Sequence, residues 1–128
     1  MRDSAVIHPA EVPLTTDWLV PFREVLSQHD TAGLAVYLLE YPPDGSVPNH
    51  SHGSNDEYLK DEVYIIERGS GKLTLDGNVH DVVPGDVVWI PRGAQHGVVA
   101  GPEGLRLWGI VAWLDVIHPG RPDAKTSH

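Results

Sequence analysis

His50 and His52, with Glu62 and His96 further along, supply three imidazoles and one carboxylate, a donor set suited to a divalent transition metal. Side chains alternate across a β-strand, so His50 and His52 can reach a single point from one strand. Glu62 opens the run Glu62-Val63-Tyr64-Ile65-Ile66 and adds an oxygen ligand if that run lies beside the histidine segment. Such a set leaves one or two positions of an octahedral ion open, which admits substrate, water or dioxygen. Affinity order does not choose the ion, so Fe, Mn, Ni, Co and Zn all stay open. Tyr64 has the parity of Glu62 and is a candidate hydrogen-bond donor from the pocket wall; Glu62 is ligand or, when off the metal, general base. His8, His29, His80, His118 and His128 have no partner at ligand spacing and read as surface or structural residues.

The elements that must hold these groups are strands. Thirteen glycines and eleven prolines divide the sequence into short runs rich in Val, Ile, Leu, Tyr and Trp, the pattern of an all-β sandwich or barrel. Strands are predicted at Leu34 to Tyr41, Glu62 to Arg68, Lys72 to Leu75, Asn78 to Val82, Val87 to Ile90, His96 to Val99 and Leu105 to Val116. Asp76-Gly77 predicts a tight hairpin, because a type I′ turn needs positive φ at both central residues. Gly69, Gly71, Gly77, Gly85 and Gly93 read as turn glycines. Before these strands, Pro21 limits any helix to a short piece around Phe22 to Leu26, whose Trp18, Leu19, Phe22 and Leu26 would cover an open end of the sandwich. Tyr37, Leu39 and Tyr41 share one parity, so that face can look inward, although such tyrosines are more often simply core; Trp89, Trp108 and Trp113 read as packing or subunit-interface residues, with pocket lining as the lesser alternative. His118 to His128 reads as a mobile tail.

At 128 residues and 41% apolar composition the chain can bury a core as one domain, residues 1–128. Eighteen acidic against nine basic residues give a net charge of −9, which disfavours nucleic acid and anionic membranes as partners. The absence of cysteine removes disulfides, thiolate ligands and cysteine nucleophiles. No apolar run is long enough to span a bilayer and no signal segment opens the chain, so a cytoplasmic protein is expected.

The run Gly85, five residues, Pro91-Arg92-Gly93, two residues, His96 resembles the second motif of the cupin superfamily, with Ala100 where that motif closes on Asn. The first cupin motif is similar to the stretch from Gly45 through His50 and His52, with one residue fewer before His50 and nine residues between His52 and Glu62. Glu57 has the family spacing from His52, but Tyr64 then falls where the motif has glycine; Glu62 is followed after six residues by Gly69. Glu62 is therefore taken as the ligand, Glu57 as the fallback, and the extra residues as an inserted loop that can act as a lid. The resemblance covers about residues 33 to 116, leaving 1–32 as an N-terminal extension and 117–128 as tail. It implies a jelly-roll β-sandwich with a metal held by His50, His52, Glu62 and His96 inside its mouth.

The activity implied is that of a metal-dependent enzyme acting on a small oxygenated substrate. A redox-active ion would make it a dioxygenase; a Lewis-acid ion would make it an isomerase, lyase or cyclase, as in cupin polyketide cyclases. The alternative is a non-catalytic domain that binds or senses a metal or small ligand. A homodimer is expected by analogy with cupins of this size.

Overall fold

The computed structural model describes residues 2–51 and 60–113. After a 3-10 turn at Pro9–Glu11 come seven strands: β1 (Phe22–Leu26), β2 (Leu34–Tyr41), β3 (Ser46–Ser51), β4 (Lys60–Leu75), β5 (Asn78–Val82), β6 (Val87–Ile90) and β7 (Gln95–Trp113). All pairings are antiparallel, in the order β1-β2-β7-β4-β5, with β3 added to β7 and β6 to β4. This is the jelly-roll sandwich that the resemblance implied. No helix among the described residues is long and apolar enough to cross a membrane.

Two long strands form the spine. Predicted strands Glu62 to Arg68 and Lys72 to Leu75 are one strand, β4, and His96 to Val99 continues through the 105 region as β7. Gly69 and Gly71 therefore lie inside a strand rather than in a turn. The first half of β4 pairs with β6 (Glu62↔Ile90 to Ile65↔Val87) and the second with β5 (Gly71↔Val82 to Leu75↔Asn78). Register shifts between Ile66 and Arg68 and between Gly69 and Gly71 bend the strand between these halves. A Cβ on Gly69, at φ +86, would lie 2.2 Å from the Gly104 carbonyl oxygen, so the two spines touch at this corner only because a side chain is missing. β7 bends likewise, pairing with β3 through its first residues and with β2 through Leu105 to Ala112.

Burial alternates as the pleat requires: Glu62, Tyr64 and Ile66 are buried while Ile65 and Glu67 on the other face are exposed. Leu39, Tyr41, Val47, Ile66, Leu73, Val98, Leu105 and Leu107 fill the core between the layers. On the outer face Val87 and Trp89 of β6 stand exposed beside Ile65 and Val63. At the β4–β5 hairpin both central residues have positive φ, 48° at Asp76 and 87° at Gly77, as predicted. Asp76 also accepts from the Gln95 amide through Oδ1 (2.9 Å) and donates its own amide to the Gln95 carbonyl (2.8 Å), which pins the start of β7.

Phe22 to Leu26 is a strand, not the short helix expected. It lies along the edge of β2 with Phe22 opposite Leu39 and Glu24 opposite Tyr37. Pro21 removes a helical donor, and the open edge of β2 offers a ladder of partners that a five-residue helix cannot match. Thr15 and Phe22 exchange backbone hydrogen bonds (2.8 and 3.0 Å), and Arg23 Nη1 donates to the Val12 carbonyl at 2.5 Å, folding the preceding segment against this edge. The proposed tail and most of the inserted loop lie outside the described residues.

Candidate metal and substrate site

The β3–β7 register sets His50 directly opposite His96, with ring centroids 4.2 Å apart. A register shift between Val47 and His50 turns the end of β3 toward this contact, and Asn49 Nδ2 donates to Gln95 Oε1 (3.1 Å) beside it. His96 is fully buried and Glu62 nearly so, at 9% exposure. Glu62 Oε1 lies 3.4 Å from His96 Nε2. Glu62 arrives from β4, which pairs with β7 at Val111 and with β6 at Ile90, so three strands place the carboxylate beside His96.

Both described imidazoles have their Nδ1 turned to a backbone carbonyl: His50 to Pro48 at 2.8 Å and His96 to Ala94 at 3.3 Å. A carbonyl oxygen only accepts, so Nδ1 carries the proton and a neutral ring keeps its lone pair on Nε2. Ligating histidines are oriented in this way. The donor types and their supporting carbonyls therefore fit a transition ion. Among the described residues no group of three or more side chains is arranged to hold one by itself, and His52, the remaining expected ligand, lies outside them, as does Glu57.

A cavity of about 230 Å³ opens in front of these groups. His50, Glu62 and Tyr64 form one wall; Tyr37, Leu39 and Tyr41 of β2 form the next, as their shared parity predicted; Trp18 and Phe22 close a third side, and Lys60 lies on the wall as well. Tyr64 is opposite Gly109 in the β4–β7 register. Tyr37 is pushed up to about 12, first by burial and then by the negative charges of Glu24 and Glu62. Burial, followed by the Glu62 charge, also pushes the Tyr41 and Tyr64 hydroxyls up from their ordinary value. All three are hydrogen-bond donors at neutral pH.

Sequence reading missed Trp18, Phe22 and Lys60 as cavity residues. The first two reach the cavity only through the β1–β2 pairing, which joins segments without a common motif. Lys60 had been counted in the inserted loop, and its place in β4 makes it a wall residue.

A bent antiparallel jelly roll with histidines and a glutamate inside its mouth defines a cupin. The cupin domain family model matches residues 37–112, and the chain belongs to that family. It is 41% identical over 69 residues to the dimethylsulfoniopropionate lyase DddW of Ruegeria pomeroyi, a match that takes in 54% of this chain and 41% of that protein. Similar solved structures include KdgF from Halomonas sp., with TM-score 0.74 and 17% identity over 94% of this chain and 98% of that one. The polyketide cyclase RemF from Streptomyces resistomycificus has TM-score 0.70 and 25% identity, covering 98% of this chain and 94% of RemF. Bacillus subtilis oxalate decarboxylase, which has Mn(II) centres, has TM-score 0.68 and 18% identity over 88% of this chain and 31% of its own. Enzymes of the lyase, cyclase and decarboxylase kinds thus share the fold.

Proposed function

We propose that this cupin is a metal-dependent lyase for a small carboxylate, with His50, His52, His96 and Glu62 as the residues that hold the ion. The observation that carries the reading is the convergence of His50, Glu62 and Tyr64 on one cavity wall with His96 beside them. A bound divalent ion would supply Lewis-acid polarisation of the substrate carboxylate and so acidify the adjacent C–H. Glu62, once released from the ion, accepts that proton as general base; the C–H electron pair becomes the C=C bond, and the bond to the β-substituent breaks with its pair departing on the leaving group. Tyr64, kept protonated by burial, donates a hydrogen bond to the substrate oxygen. The lyase among the relatives supports elimination as the reaction type.

The test uses untagged protein loaded in turn with Fe, Mn, Ni, Co and Zn, incubated with β-substituted propionates while product alkene and dissolved oxygen are followed. Elimination without oxygen uptake is expected. Failure to bind any of the five ions would end the metal reading; oxygen consumption with oxidised product would replace the lyase by a dioxygenase; metal and acid binding without turnover would make the protein a binding domain. Glu62→Gln should lower turnover by about 10²–10⁴-fold, the range typical of a lost general base.

A further inference from the structure

Two of the aromatic residues lining the cavity come from outside the family match. Trp18 and Phe22 precede residue 37, where the match begins, and join Tyr37 in the cavity wall. Trp18 meets Phe22 edge to face with centroids 5.8 Å apart and planes at 89°; Phe22 meets Tyr37 at 5.9 Å and 74°. Rings set at right angles form a corner, and aromatic faces carry the negative part of the ring quadrupole. Core packing does not account for the corner. Trp18 keeps 47% of its surface exposed, and Phe22 and Tyr37 are only partly buried, so the rings still have apolar area to cover.

The charges around the cavity have a direction. The Tyr37 hydroxyl donates to the Glu24 carboxylate, which puts a negative charge at the rim of the corner, and Glu62 adds another on the inner wall. Lys60 supplies a cation on the same cavity, its Nζ 5.3 Å from the centre of the Trp113 ring. One part of the cavity therefore favours a cation and another an anion.

We propose that the corner of Trp18, Phe22 and Tyr37, with Glu24 at its rim, binds the onium head of a small zwitterionic acid whose carboxylate is directed toward Lys60. The proposal rests on the cavity being the substrate site. A quaternary ammonium or a sulfonium has no N–H to satisfy and spreads its charge over methyl groups, the kind of cation that aromatic faces accept. The N-terminal extension is then the part of this chain that sets its ligand class.

The experiment compares binding, by calorimetry on the full metal-loaded chain, of 3-(trimethylammonio)propionate, 3-(dimethylsulfonio)propionate and the uncharged isostere 4,4-dimethylpentanoate. The onium acids should bind at least about tenfold more tightly than the isostere, as two or three cation–π contacts predict. Trp18→Leu should cut that preference several-fold while the isostere affinity stays within about twofold, and Trp18→Phe should restore most of it. Lys60→Gln should weaken all three acids together. Equal affinity for onium and isostere, no binding of any probe, or an unchanged preference in Trp18→Leu each overturns the proposal. A preference for one onium over the other identifies the head group. Binding is read without turnover, so absence of elimination with the preference intact rejects the lyase reading alone, whereas elimination with no preference rejects this one alone.

Discussion

Gly69→Ala, set against Gly77→Ala, tests whether the bend of the long strands is what this fold depends on. The two glycines have nearly the same backbone, φ +86 and +87, so an alanine at either incurs the same left-handed penalty, about 1–2 kcal/mol. Their surroundings differ. At Gly77 no atom lies within 4 Å of the added Cβ, whereas at Gly69 it would stand 2.2 Å from the Gly104 carbonyl oxygen. To reach an ordinary contact β4 and β7 must part by about 1 Å or more at their corner, a backbone rearrangement that adds at least the ~1–3 kcal/mol of an overpacked core. Gly69→Ala is expected to cost about 2–5 kcal/mol and Gly77→Ala about 1–2. At roughly 3–6 °C per kcal/mol for a chain of this size, the two melting temperatures should differ by several degrees in the same thermal scan. The bend also sets the angle between the half of β4 carrying Glu62 and the half that pairs with β5. Gly69→Ala should therefore lower metal retention as well, and Gly77→Ala should not. Equal melting temperatures for the two variants would show that the corner yields freely and would refute this account of the bend.

Alkaline titration at the tyrosinate band should show Tyr37 ionising near pH 12, with Tyr41 following at higher pH. Both are raised in the folded state, so their contribution to stability is complete below the unfolded value near 10 and declines as pH rises from there through the folded values; a urea midpoint that fails to fall above pH 10 would contradict it. Tyr64→Phe should keep bound metal unchanged while reducing kcat more than it raises KM, because it removes one hydrogen bond and little volume; parallel loss of metal would make Tyr64 a structural residue. Leu107→Ala empties a fully buried site in the core and should cost about 2–5 kcal/mol by denaturant unfolding, with the site residues unaltered.

Much of this arrangement was open to inspection from the residues in order. The Asp76-Gly77 hairpin is local chemistry, and positive φ at both positions follows from residue type alone. Leu34–Tyr41, Asn78–Val82 and Val87–Ile90 are strands with the bounds expected, since glycines and prolines flank each run. Parity along β2 turned Tyr37, Leu39 and Tyr41 toward the cavity, and the spacing from Gly85 to His96 singled out the buried histidine. Tertiary structure decided the rest. Whether Phe22 to Leu26 became helix or strand depended on the free edge of β2, which no local window contains. His50 meets His96, and Glu62 meets His96, through strand registers set by bulges and by one glycine-on-glycine contact between residues distant in sequence. Residue types and periodicity are properties of neighbours along the chain, so donor identity and strand parity could be read directly; convergence on a point is a property of pairing across it, and only the folded sheet supplies that.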